Sequence, residues 1–220
     1  MAKKKIDANS VQTKPSTRHA REGGHPDSSK KKLDSRLRGN DARSRTTPSR
    51  ATSEDFACVK LLILDVDGVL TDGGVYYGAD GEEMKRFHIP DGMGIVMLEK
   101  AGIPVAVMTT ENSPRVASRV KQLGLRYYYP GVSRKGAHLT FILKATGVKA
   151  ENVAYCADDI NDVSALRQIG LPIAVANAMP EVVAVARYQT KASGGHGAVR
   201  EVCNLILKAK GEDMVNLWER

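Results

Sequence analysis

Cysteine is scarce in this chain, and what there is does not pair. Cys58, Cys156 and Cys203 lie far apart, form no CxxC motif and are odd in number, which argues against a disulfide framework and fits reduced thiols in a cytoplasmic protein. Long apolar runs are also missing. None approaches the roughly 18 residues a membrane-spanning helix needs, so no membrane association is expected. The basic start MAKKK is followed by no apolar stretch, and a secretory signal is not expected. Residues 1–55 contain no Phe, Trp or Tyr, which removes the stacking surface that single-stranded nucleic acid would use. A dinucleotide fingerprint is absent as well: GGHGAVRE at 194–201 lacks a third glycine and does not follow the chain's first strand.

The net charge of +8 is unevenly placed. Residues 1–55 hold 14 Lys and Arg against 7 Asp and Glu, whereas the remainder holds 19 against 18. The part able to build a core is therefore nearly neutral, and the basic balance says little about its partner. Residues 1–55 also show no helical or strand period and few large apolar residues, so they read as a disordered basic extension. Residues 56–220 read as one domain, since a chain of this length with 42% hydrophobic residues supports one ordinary core.

Beyond the extension, apolar runs alternate with helical spacing. VKLLILD (59–65), IPVAVMT (103–109), LRYYY (125–129), NVAYCAD (152–158) and LPIAVA (171–176) have the form of strands buried on both faces. Between them, DGMGIVMLEKAG, SPRVASRVKQLG, KGAHLTFILKATG and INDVSALRQIG carry helical spacing, each ending near a glycine. This order predicts an α/β fold, a doubly wound parallel sheet of Rossmann type with right-handed crossovers. GGVYYGADGEEMKRFHI (73–89) interrupts it and predicts a β-hairpin directly after the first strand.

Ligands in such sheets bind at the carboxyl ends of the strands, where Asp65, Thr109 and Asp158 fall. Asp65 could attack a phosphoryl group, and Asp67, two residues on, could protonate the leaving oxygen and then deprotonate water. Two carboxylates approaching a phosphate dianion need a divalent cation, and Mg²⁺ suits all-oxygen ligands. Asp158 offers a further ligand, with Asp159 and Asp162 in support, while Thr109 and Lys135 can contact phosphoryl oxygens. Singly, each motif has an ordinary reading as a strand end, solvated lysine or helix start. Their order within one α/β chain is what carries the chemistry.

That order resembles the haloacid dehalogenase superfamily: DVDGVLTDG, then Thr109, Lys135 and ADDIND. GEEMKRFHIPDGMGI, GVSRKGAH and ASGGHGAVREVCNLIL narrow the resemblance to phosphatases of 3-deoxy-D-manno-octulosonate 8-phosphate and related keto sugar acid phosphates. The resemblance implies Asp65 as nucleophile, Asp67 as acid and base, and Mg²⁺ on the Asp65 side chain, the Asp67 backbone carbonyl and Asp158. It places Thr109, Thr110, Glu111 and Lys135, with Asp91, Gly195 and Arg200, on the phosphate or substrate side. Only 43 residues separate Asp65 from Thr109, and 22 separate Lys135 from Asp158, so no cap domain is expected. The resemblance then implies a homotetramer in which a neighbouring subunit covers each site.

Two positions depart from the pattern. Thr110-Glu111 stands where Gly-Arg usually follows the threonine, with Asn112 next, so an anion replaces a cation near the substrate. A Glu here resembles the subgroup acting on nine-carbon keto sugar acid 9-phosphates such as an N-acylneuraminate 9-phosphate, and that resemblance implies the nine-carbon substrate over the eight-carbon one. Ala157 replaces a glycine before the paired aspartates. The rival reading is a catalytically silent scaffold that partners a sugar nucleotidyltransferase.

Overall fold

A computed structural model describes residues 50–81 and 83–219. Residues 1–49 of the expected extension lie outside the described residues. Its last residues join the fold: Ala51 N–H donates to the Arg187 carbonyl at 2.9 Å, and Thr52 caps helix α1 (Ser53–Ala57) in a reciprocal box with Asp55. Asp55 also pairs with Arg187 at 2.8 Å. The first helix thus starts three residues ahead of the boundary read from composition.

The strands are β1 (Leu61–Leu64), β2 (Tyr76–Tyr77), β3 (Glu83–Met84), β4 (Val105–Met108), β5 (Tyr127–Tyr129), β6 (Val153–Ala157), β7 (Leu171–Ala174) and β8 (Tyr188–Gln189). Six form one sheet in the order β5-β4-β1-β6-β7-β8, and every neighbouring pair in it is parallel. The chain runs outward from β1 through β4 to β5, then returns to lay β6, β7 and β8 on the other side. β1 and β6 therefore flank the topological switch point, the place where open α/β sheets leave a crevice.

Alternate side chains of β1 enter different cores, as a strand period of two requires. Leu62 and Leu64 pack with Ile95 and Leu98 of α2 (Ile89–Lys100), Val116 of α3 (Pro114–Gln122) and Val202 of the long C-terminal helix. Leu61 and Ile63 pack on the opposite face with Leu139 and Ile142 of α4 (Lys135–Thr146), Leu166 of α5 (Val163–Leu166) and Val182 of α6 (Pro180–Val183). The C-terminal helix is α7 (Ala198–Ala209), and α8 (Met214–Glu219) follows it. The run INDVSALRQIG forms less helix than its spacing suggests, a 3-10 turn (Ile160–Asp162) followed by the single-turn α5. There the buried Asp162 turns inward to a lysine and does not extend an exposed helical face.

The hairpin follows β1 as expected, with Tyr76 opposite Met84 and Tyr77 opposite Glu83 in antiparallel register. Its apolar side chains face outward: Tyr76, Tyr77 and Met84 are 58%, 73% and 60% exposed. Among the described residues no helix is long and apolar enough to cross a membrane.

Candidate active site

Asp65, Thr109 and Asp158 are each the first residue beyond a strand, after β1, β4 and β6 respectively. Ladder-like bonds continue past the strand ends and fix the first two: Asp65 N–H donates to the Cys156 carbonyl and Thr109 N–H to the Tyr129 carbonyl, both at 3.1 Å. The loop after Asp65 closes on itself, with the Val66 carbonyl accepting from Leu70 N–H at 2.9 Å and Thr71 N–H at 3.0 Å. Gly68 in that loop has φ +79°, and a Cβ there would lie 2.0 Å from Asp158 Oδ2. Only glycine satisfies both the left-handed backbone and the approach of that carboxylate.

Lys135, the first residue of α4, is fully buried and lies 2.8 Å from Asp65 Oδ1 and 2.7 Å from Asp162 Oδ1. The hydroxyl of buried Tyr155 donates to the same Asp162 oxygen. Asp65, Asp158 and Asp162 bring carboxylate oxygens within 4.8 Å of one another. Burial raises Asp65 to about 7, nearby Asp162 adds to the rise, and Lys135 opposes it. Asp158 is also raised to about 7, by burial, then by Asp65 and Asp159. Burial raises Asp162 too, against the pull of Lys135. Asp158 Oδ1 is buried with no hydrogen-bond partner. Asp162 Oδ2 is in the same position, and crowded acids with two such orphaned oxygens are an unfavourable arrangement unless a cation joins them; an all-oxygen donor set fits a hard divalent ion.

A second ionic group lies beside the first. Lys85, just past β3, reaches Asp67 Oδ1 at 2.7 Å and Glu83 at 3.6 Å, and also pairs with Glu111. Its side chain is 1% exposed. Burial alone would lower its pKa, but the hydrogen bonds it donates to Asp67 and Glu111 outweigh this and raise it. Glu111 is therefore no lone anion, because a buried cation joins it to Asp67.

The other sequence candidates take varied places. Thr109 is buried, and its hydroxyl accepts from Glu111 N–H at 3.2 Å, while Thr110 is exposed. Asp159 is exposed and caps the 3-10 turn. Asp91 is buried, and its carboxylate accepts from Arg200 N–H at 2.7 Å and Gly197 N–H at 3.3 Å, so it caps α7. The Arg200 side chain bonds Asn204 at 2.8 Å and lines a groove of about 440 Å³ with Met93, Met97, Met214 and Trp218. Ala157 ends β6 in register with Ala174, an extended position that any residue can take.

The glycine-rich segment is a backbone strap. Gly195 N–H donates to the Val69 carbonyl at 3.0 Å, and a Cβ on Gly194 would lie 1.7 Å from the Gly68 carbonyl oxygen. Asn177 joins the two loops, donating to the Gly68 carbonyl at 3.2 Å and accepting from Gly194 N–H at 2.7 Å. Sequence reasoning missed Lys85, Tyr155, Thr71 and Asn177. Tyr155 lay hidden inside an apolar strand run, and Lys85 in a hairpin read only for its turn.

The chain is similar to known proteins over most of its described length. The family model described as haloacid dehalogenase-like hydrolase matches residues 126–202. The 3-deoxy-D-manno-octulosonate 8-phosphate phosphatase KdsC of Escherichia coli (strain K12) is 44% identical over 154 residues, covering 70% of this chain and 82% of that protein. The chain belongs to the haloacid dehalogenase-like hydrolase family. Among solved members, the 3-deoxy-D-manno-octulosonate 8-phosphate phosphatase of Moraxella catarrhalis, determined with magnesium, phosphate and KDO, is 39% identical with a TM-score of 0.70 over 72% of this chain and 91% of that one. The Yersinia pestis enzyme of the same description is 41% identical with a TM-score of 0.71, covering 73% and 86%. The doubly wound parallel sheet of the family is thus the fold described above.

Proposed function

We propose that the chain is a Mg²⁺-dependent phosphatase of a phosphorylated keto-deoxy sugar acid, with 3-deoxy-D-manno-octulosonate 8-phosphate as its substrate. The observation that carries this reading is Asp65, held by Lys135 at the switch point beside the orphaned oxygen of Asp158. The Asp65 side chain, the Asp67 backbone carbonyl and Asp158 would hold the ion. When bound, Mg²⁺ supplies the positive charge that lets a carboxylate meet a phosphate dianion.

The chain's own groups do the rest. Asp65 attacks phosphorus, and the bond to the sugar oxygen breaks as Asp67 delivers a proton to that oxygen. Water then attacks the aspartyl-phosphate while Asp67 takes a proton from that water, and the bond to Asp65 breaks to release phosphate. Thr109 and Lys135 hold the phosphoryl oxygens and offset their charge.

The choice of the eight-carbon sugar rests on the relatives and on Lys85. The anion at Glu111 favoured a nine-carbon substrate only while it stood alone, and its pairing with Lys85 removes that argument. The exposed hairpin side chains of Tyr76, Tyr77 and Met84 support a homotetramer covering the open sites. The free sugar acid would enter lipopolysaccharide synthesis in the cytoplasm.

A phosphate-release panel tests this, using eight- and nine-carbon keto acid phosphates beside glucose 6-phosphate. The expected result is Mg²⁺-dependent turnover with kcat/KM on the eight-carbon substrate at least about 10-fold above the others, and none with Asp65→Asn. Preference for the hexose phosphate contradicts the substrate class, and preference for the nine-carbon one contradicts the chosen sugar.

A further inference from the structure

Among the described residues of the hairpin region, Lys85 is the charged group that reaches the proposed acid and base. Its ammonium stands 2.7 Å from Asp67 Oδ1, pairs with Glu111 and lies 3.6 Å from Glu83. The three carboxylates come from three separate segments: the loop after β1, strand β3 and the loop after β4. They differ from Lys85 in exposure. The side chains of Asp67 and Glu111 are 38% and 40% exposed, whereas that of Lys85 is 1% exposed. Asp67 is thus open enough to meet a substrate, and its anchor is shielded from water.

An aspartate on a loop, 38% exposed, has several staggered rotamers within reach, and only some aim its carboxyl at a leaving oxygen. A buried ammonium with three donors selects one. Neighbouring segments hold that ammonium in turn. Arg115 donates to the Glu83 carbonyl at 3.0 Å and Ser113 to the Glu83 carboxylate at 3.3 Å, so the base of the hairpin is tied to the start of α3. Glu111, where the related pattern carries a cation, becomes the second anchor of Lys85.

We infer that Lys85, braced by Glu111, is the positioning residue that aims the Asp67 carboxyl at the leaving-group oxygen. Lys85 acts through Asp67 and touches no reacting atom. This rests on the acid and base role proposed for Asp67, and it adds a function to the hairpin, whose strand β3 delivers the lysine.

Leaving-group dependence tests it. An alkyl phosphate such as the sugar acid phosphate leaves as an alkoxide unless a proton is delivered, whereas p-nitrophenolate leaves without one. The ratio kcat/KM reports steps up to that departure. In the full-length enzyme with Mg²⁺, Lys85→Met should lower kcat/KM on the sugar acid phosphate by at least about 30-fold, within the span of general-acid catalysis. On p-nitrophenyl phosphate it should change by less than about 3-fold, with inhibition by free sugar acid unaltered. Glu111→Gln should produce the same selectivity with a smaller loss.

Equal losses on both substrates would assign Lys85 a structural role and overturn the inference. So would a weakened inhibition constant for the free sugar acid, which would make Lys85 a binding residue, or an unchanged ratio. If Lys85→Met does not fold, Lys85→Arg carries the same test, because a guanidinium fork cannot occupy the ammonium's place and must also lower the alkyl-to-aryl ratio. Asp67→Asn separates the two ideas. If it shows no leaving-group selectivity, the role of Asp67 fails; if it does and the Lys85 variants do not, only the positioning role fails.

Discussion

Gly68 joins the two carboxylates of the first loop to the acid of β6. Its left-handed φ of +79° and the 2.0 Å separation that a Cβ would have from Asp158 Oδ2 make Gly68→Ala a test of how closely Asp158 must approach. Backbone strain there costs about 1–2 kcal/mol, tolerable for a folded domain, but the added methyl must push Asp158 aside. The expected outcome is a chain with unchanged circular dichroism whose half-saturating Mg²⁺ concentration for turnover rises about 10–100-fold, the range seen when groups supporting metal ligands are altered. Unaltered Mg²⁺ dependence would show that the carboxylate tolerates displacement. The strand-end places of Asp65, Thr109 and Asp158 were legible because each ends an apolar run, but that of Tyr155 was not, since its hydroxyl meets Asp162 from inside such a run. Asp91 looked like a substrate contact, whereas its oxygens accept the first N–H groups of α7. A helix cap of that kind depends on a partner more than 100 residues away in the chain.

At the scale of elements, the hairpin was legible from its glycine-rich turn and flanking short strands, and so were the five strands with continuous apolar runs. β8 escaped because two residues, Tyr188 and Gln189, carry no period, and α8 because six residues show too little of one, although Asp213 ahead of it accepts from Asn216 N–H at 2.8 Å as an N-cap does. The hairpin's pairing puts Tyr76 and Met84 opposite each other and Tyr77 on the other face, all three exposed, and aromatic and methionine side chains are what interface cores favour. Tyr77→Asp combined with Met84→Lys puts a charge on each face of the hairpin without disturbing the paired backbone. If the hairpins assemble a tetramer, light scattering after gel filtration should report a smaller particle. KM should rise about 10-fold or more, because each site then loses the subunit that covers it. A tetramer that survives both substitutions would move the interface elsewhere.

The whole molecule carries the cost of gathering acids at the switch point. In the metal-free fold Asp65 and Asp158 lie near 7, against 3.8 for a free aspartate. Between those values the folded chain keeps protons that the unfolded chain has released, so this contribution to stability is greatest at the acid end and is lost as pH rises through about 7. Mg²⁺ requires the deprotonated carboxylates, and so stabilises the fold chiefly on the alkaline side. With chelator present, the melting temperature should fall from about pH 5 to about pH 8, and excess Mg²⁺ should restore it at the higher pH while doing little at the lower. Other groups titrate across the same interval, and Asp158→Asn isolates the effect. It removes one of the three raised carboxyls, and with it the negative charge that would help hold the ion, so the variant should show a shallower fall and a weaker response to Mg²⁺ than the wild type. Identical pH curves for the two proteins would place the proton-linked metal site outside the Asp65 and Asp158 pair, and with it the nucleophile.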